Sequence, residues 1–396
     1  MEDPGKSVQS FDDPDFLHAH IQSILDFYEN RVVDPAGGFF QTFRDDGTVY
    51  DPGDRHLVSS TRFIFNYATA YRLEGKTHYQ DWARHGLEYL KTHHRQPEGH
   101  FAWQLRDGAV SDGRAMAYGH AFVVLAAASS VRAGISDAAT LIGETWDFLE
   151  EQFWDSKAQA YADERDSSLK TLDAYRGQNA NMHLCEAFLE AWEATGESRY
   201  LDRAETLVRK FAGQLADLNQ CLIWEHYDRD WQPDFDYNRD KPDDRFKPWG
   251  FQPGHQVEWT KLLMQLHKHR PSPWLVERAA QLFDGAMTKG WDPEWGGLVY
   301  GFAPDGSFCN ADKYFWVQAE AIAAAWRLYK VTGEQRYLED YKRLWSWSWK
   351  YLVDHRYGAW YRILNPDGTK IDDLKSPTGK TDYHTLGACW DVLSQM

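Results

Sequence analysis

Two kinds of apolar stretch alternate along the chain. The first is apolar on almost every face, as in "AFVVLAAASSV" (Ala121 to Val131) and "AEAIAAAWRLY" (Ala319 to Tyr329). A helix apolar all round is a buried one. The second kind, such as "YLDRAETLVRKF" (Tyr200 to Phe211), is charged on one side. It predicts an outer helix that turns an apolar stripe inward. A glycine joins the two kinds. In the stretches from Tyr71 to Leu90, Trp192 to Phe211 and Tyr329 to Ser348, one helix ends and the chain turns at Gly75, Gly196 or Gly333. A second helix then begins, with a tyrosine (Tyr79, Tyr200, Tyr337) four residues on. Glycine suits a helix C-terminus because it adopts the left-handed conformation without a side-chain penalty.

These glycines lie 121 and 137 residues apart, each about twice a unit of roughly 60 to 70 residues. Fainter junctions fall between, at Gly134 in "VRAGISDAATLIGETWDFL" and at Pro271 and Pro273 in "HRPSPWLVERAAQLF". Other stretches read as hairpins: "GGFFQTFRDDGTVYD", "GHFAWQLRDGAVSD", "GGLVYGFAPDGSFCN" and "GAWYRILNPDGTKID". Each sets two short alternating runs around a D-G type turn. The pattern predicts an all-α fold, a ring of six inner and six outer helices with short β-hairpins at one end. That is an (α/α)6 barrel forming one domain over residues 1–396, with an open solenoid as the structural alternative. No linker composition divides the chain.

Composition narrows the function. The net charge is −17, from 60 acidic and 43 basic residues, which excludes the basic footprint that nucleic acid and anionic membranes require. Aromatic residues make up 15% of the chain. Most such rings are core, but flat rings also cover the apolar faces of sugars. The four cysteines, Cys185, Cys221, Cys309 and Cys389, are widely spaced with no CxxC, so neither a zinc ribbon nor a disulfide framework is expected. The beginning of the chain lacks an apolar signal core, and the longest apolar run is too short to span a bilayer. A cytoplasmic protein acting on a small molecule is the expectation, as a monomer or homodimer.

In such a ring the starts of the inner helices line a central cavity, and polar residues there are candidates. Arg62 lies among Phe63, Phe65 and Tyr67, and would otherwise be paired with a buried acid. Asn179 and His183 open "YRGQNANMHLCEAFLEAW" beside the stripe Leu184, Phe188 and Trp192. His255 and Glu258, three apart, open "GFQPGHQVEWTKLLMQLHKH". Glu320 interrupts an apolar helix, and His384 begins the last one. A lone helical histidine is more often structural, and a buried carboxylate is costly unless paired or wet. No HExxH, P-loop, GxGxxG or GxSxG motif occurs. A His/Glu metal site is therefore the minority reading, and neither metal nor cofactor is expected. A glycosidase would need an Asp/Glu pair flanking the scissile bond, whereas here histidines accompany the helix starts. Histidines suit proton transfer near neutral pH.

The segments "HLVSSTRFIF", "YGHAFVVLAAAS", "YRGQNANMHLCEAF", "WEHYDRDWQPDFDYNRDKPDDRFKPWGFQPGHQVEW", "FWVQAEAIAAAW" and "TDYHTLGACWD" run in order over nearly the whole chain. Together they resemble the N-acylglucosamine 2-epimerase superfamily, in its mannose isomerase and sulfoquinovose isomerase branch. The resemblance implies an (α/α)6 barrel and metal-independent aldose–ketose isomerisation through a cis-enediol. It marks Arg62, His183, His255, Glu258 and His384 as catalytic, and Tyr118, His120, Asn179, Trp316 and Glu320 as substrate-binding. Trp259, after Glu258, favours the isomerase branch, and Val58 stands where the sulfoquinovose-type enzymes carry a pocket tryptophan. The implied reaction interconverts D-mannose and D-fructose, with D-lyxose and D-xylulose as the pentose pair and a sugar 2-epimerase as the alternative. On this reading Glu258 orients His255 for ring opening, His384 moves the C2 proton, and Arg62 and His183 steady the charged oxygen.

Overall fold

The computed structural model describes residues 10–396. Twelve α-helices build it. They are α1 (Pro14–Tyr28), α2 (Leu57–Glu74), α3 (Thr77–Tyr89), α4 (Ala117–Arg132), α5 (Ala139–Gln152) and α6 (Gln178–Thr195), then α7 (Ser198–Val208), α8 (Pro253–His269), α9 (Pro273–Gly290), α10 (Phe315–Thr332), α11 (Gln335–Tyr351) and α12 (Tyr383–Leu393). The even-numbered helices form the inner ring, each packed on the next, and α12 packs on α2. That last contact closes the ring, so the fold is the (α/α)6 barrel rather than an open solenoid. Each of α3, α5, α7, α9 and α11 packs outside the inner helix that precedes it, while α1 covers α12. The first and last helices of the chain thus complete the sixth pair.

Local chemistry explains the ring. α2, α6 and α10 end at Gly75, Gly196 and Gly333, all left-handed, and the amide of each glycine donates back to the carbonyl four residues earlier. α10 is buried without interruption from Phe315 to Trp326. Ala319 and Ala323 pack there against Ala388 of α12. Side chains this small let the inner helices approach closely while still removing apolar surface from water, about 25 cal/mol per Å². Cys185 and Cys389 are buried free thiols, and no described helix is long and apolar enough to cross a membrane.

The β structure sits at the N-terminal end of the inner helices. Gln104–Arg106 and Ala109–Asp112 form a hairpin around Asp107 and Gly108, both left-handed, as a tight two-residue turn requires. Gly301–Phe302 and Phe308–Asn310 form a second. In the other two predicted hairpins the internal pairing shrinks to a single bridge, Phe43 with Val49 and Leu364 with Lys370. Their strands pair mainly with other segments instead: Phe43–Arg44 with Leu374–Ser376, and Ile363–Leu364 with Lys313–Tyr314. Asp54–His56, Ala115–Met116, Arg176–Gly177 and Lys313–Tyr314 each run straight into an inner helix. These ladders fix where those four inner helices begin, and so where their first side chains point.

Candidate active site

A cavity of about 530 Å³, counting the space open to solvent, lies at that end of the barrel. Arg62, Tyr118, Asn179, His183, His255, Glu258, Trp316 and His384 line it, contributed by all six inner helices. Residues 228–250, which connect toward α8, fold over the opening and add Arg245, Phe246 and Pro248. Phe246 stacks on His56 and meets Trp103 edge-on, which seats this segment on the barrel. His226 contacts the Pro248 carbonyl at 2.8 Å. Gly254 has no side chain where Trp316 passes, and a Cβ there would stand 2.3 Å from the indole ring. The absence of a side chain lets Trp316 lie between His255 and His384, with ring centroids at 5.1 and 5.6 Å.

The three cavity histidines share one arrangement. His183 Nδ1 meets Glu186 Oε2 at 3.0 Å, His255 Nδ1 meets Glu225 Oε2 at 2.9 Å, and His384 Nδ1 meets Glu320 Oε1 at 2.7 Å. An ionised carboxylate only accepts, so Nδ1–H donates and Nε2 keeps its lone pair. Among the described residues no hydrogen-bond partner meets Nε2 of any of the three. Burial pushes His384 well below the ordinary histidine range, helped by Arg62, His183 and Lys261. Burial also lowers His183, against the pull of Glu186. Both rings are neutral near pH 7.

His255 is held more elaborately. Gln178 Nε2 donates to the Glu225 oxygen that His255 contacts, and lies 2.9 Å from His255 Nδ1. Trp259 Nε1 donates to Gln178 Oε1 at 2.7 Å, which fixes the direction of the amide. Glu225, not Glu258, therefore orients His255. Glu258 points to the other side of its helix turn, 3.8 Å from His384 Nδ1, and its Oε2 meets no partner. Burial and the neighbouring Glu320 push Glu258 well above the usual carboxylate range, which favours its protonated form. Burial raises Glu320 as well, but Lys261 Nζ, 2.6 Å from Oε2, counters it.

Positive charge gathers around the cavity. Arg62 lies between the faces of Phe122 and Tyr383, and its guanidinium donates to the Gly379 carbonyl at 2.9 Å and to Tyr118 Oη at 3.3 Å. Arg245 and Lys380 face the same space. Burial, together with Arg62, Arg245 and Arg362, lowers Lys380 to about 7. The buried Asn179 Oδ1 has no partner among the described residues. Glu258, Glu320 and His384 bring one ligand atom each within 4.8 Å of one another. The Lys261 ammonium already holds Glu320, so this cluster has its cation.

Residues 38–388 match the N-acylglucosamine 2-epimerase (GlcNAc 2-epimerase) family. The chain belongs to that family. A D-mannose isomerase of Marinomonas mediterranea is 50% identical over 391 residues, covering 98% of this chain and 99% of the relative. A D-mannose isomerase of Thermobifida fusca is 36% identical, covering 76% of each chain. A crystal structure of a D-mannose isomerase superposes with a TM-score of 0.97 at 50% identity, over 98% of this chain and all of that one.

This N-acylglucosamine 2-epimerase family member departs from the sequence-based expectations at two further substrate-binding candidates. His120 is not in the cavity. Its Nδ1 contacts the Met116 carbonyl at 2.7 Å and its Nε2 accepts from the Phe101 amide at 3.2 Å, leaving no free nitrogen. Glu320 lies behind His384 rather than against the cavity. Glu186, Glu225, Gln178 and Lys261 support the site without standing out in the sequence. Glu186 and Lys261 each follow a candidate by three residues, the helical spacing that brings side chains together. Glu225 comes from outside the helices, and nothing in its local pattern marks it.

Proposed function

We propose that the chain interconverts D-mannose and D-fructose by proton transfer through a cis-enediol, without a metal. One observation carries the reading: three histidines present bare Nε2 atoms to a single cavity, each backed by a carboxylate. The 50% identical D-mannose isomerase, matched over nearly its whole length, supports the substrate.

His255, with Glu225 behind it, takes the O1 proton of the ring-closed sugar and passes it to O5 as the C1–O5 bond breaks, and the ring opens. His384 Nε2 then removes the C2 proton, and the electron pair forms the C1–C2 double bond. Glu258 gives its proton to O1 and afterwards takes the proton of O2. As C2 becomes a carbonyl, His384 returns its proton to C1 on the same face. Arg62 and Lys380 face the oxygens where negative charge develops, and donors fixed in advance at such a point supply a large share of catalysis; the bare Nε2 of His183 accepts from a sugar hydroxyl. Trp316 covers the apolar face of the sugar.

The test is incubation of the protein with D-mannose in heavy water, with and without chelator, followed by NMR. Fructose as the first product, deuterium entering at C1, and an unchanged rate under chelator are expected. No turnover of mannose or lyxose sinks the reading. Glucose as the main early product replaces it with 2-epimerisation, a reaction that two bases flanking one carbon would serve.

A further inference from the structure

Lys261 does not line the sugar cavity. It lies one helical turn past Glu258 on α8 and faces a second chamber, about 1170 Å³ with its open volume, at the opposite end of the barrel. Its Nζ is 2.6 Å from Glu320 Oε2 and 3.6 Å from Glu186 Oε1. The other oxygen of Glu320 holds His384 Nδ1, and the other oxygen of Glu186 holds His183 Nδ1. One ammonium therefore joins the carboxylates that stand behind two cavity histidines.

We infer that Lys261 is a positioning residue for proton transfer: by keeping Glu320 and Glu186 anionic, it locks His384 and His183 in the tautomer that turns a bare Nε2 toward the sugar. This rests on the assignment of His384 as the base.

The charge count supports the inference. Glu186, Glu258 and Glu320 share one buried layer, and like charges this close cannot all ionise without a counter-ion. Arg62 faces the layer from α2, His183 from α6, and Tyr383, His384 and Asp391 from α12. Arg62 is engaged on the cavity side with Gly379 and Tyr118. Asp391 is bound by Arg327. Burial holds Tyr383 in its neutral form. Lys261 is the ammonium placed between the two paired carboxylates. Burial alone would lower it, but Glu320, Glu186 and Glu258 raise it well above the usual lysine range. Without it Glu320 would take a proton. A protonated Glu320 donates to Nδ1, moves the imidazole proton to Nε2 and removes the base.

Lys261→Met should lower kcat roughly 10²-fold at pH 7, with KM for mannose within about twofold, since the residue does not touch the sugar. The acidic limb of the kcat profile should move to higher pH, because Glu320 must now lose a proton first. Lys261→Arg should keep the wild-type limb. In Lys261→Ala, ethylammonium should restore kcat saturably through the lower chamber, and tetramethylammonium, which cannot donate, should not. An unmoved limb in Lys261→Met, or equal losses in the methionine and arginine variants without amine rescue, overturns the inference. Ring 15N shifts read the tautomer without sugar, independently of the assigned reaction. Wild-type His384 should show a pyridine-type Nε2, and a protonated Nε2 there overturns the inference even if the variants do not fold.

Discussion

Two groups of histidines lie at the same end of the barrel and serve opposite ends. On the α2 and α4 side are His56, His94 and His120, and on the α6, α8 and α12 side are His183, His255 and His384. All six are buried. The difference lies in what holds them. In the first group the backbone and a hydroxyl do so: His56 accepts from the Val58 amide, His94 bridges the Ala102 carbonyl and Ser60 Oγ, and His120 bridges Met116 and Phe101. In the second group a carboxylate holds Nδ1 and Nε2 is bare. Burial thus makes a structural histidine when backbone or hydroxyl groups hold the ring, at both nitrogens in His94 and His120, and a base when one nitrogen is held by an anion and the other faces a cavity.

Removing a base from the second group should break the comparison most visibly. His384→Asn should cut kcat/KM for mannose roughly 10³-fold, the usual worth of a positioned general base. Circular dichroism and the melting temperature should stay near wild type. Retention of most of the rate would take His384 out of the proton transfer.

The carboxylates should matter next. Glu225→Gln leaves His255 in place but replaces an anion with a neutral amide, so the tautomer is no longer fixed. A loss of roughly 10²-fold in kcat is expected, less than for losing the base itself. Glu258 lies three residues from His255 but turns toward His384, so the same measurement on Glu258→Gln separates the two roles: its loss should track the proton relay at O1 and O2, with His255 still correctly oriented.

The two groups also show how far sequence reading reaches. The ring was legible because its signals are local: a C-terminal glycine at Gly75, Gly196 and Gly333, and helices apolar on every face beside helices apolar on one. His183, His255 and His384 were legible because they start inner helices. His120 also starts one, and the sequence does not reveal that a carbonyl from its own helix and an amide from a neighbouring loop fill both its nitrogens. Glu225 was invisible for the opposite reason. It acts on His255 from 30 residues away, across a segment with no regular period. Lys261 lies three residues past Glu258, but its role depends on Glu186 and Glu320 on two other helices.

The smallest effect on activity is expected for His120, and there stability is the measurement. His120→Gln should leave kcat near wild type. At pH 7 it should cost roughly 1–3 kcal/mol, because the Met116 carbonyl and the Phe101 amide lose their partners. Burial lowers the folded-state value of His120 to about 4, against 6.5 for the ordinary side chain. Between those values the unfolded chain binds the extra proton, so this group's contribution falls as pH drops below 6.5 and is fully present above it. His56, lowered by burial to about 3, and His94, lowered to about 4, act in the same direction. Asp163, raised by burial to about 7, opposes them, since its folded form keeps the proton. The wild-type melting temperature should therefore fall from pH 7 to pH 5. The gap between wild type and His120→Gln should narrow over the same range, by roughly 1–2 kcal/mol, because the glutamine has no proton to refuse. A gap that stays constant with pH would mean that His120 is charged in the folded protein, and the distinction between the two groups of histidines would fail on the structural side.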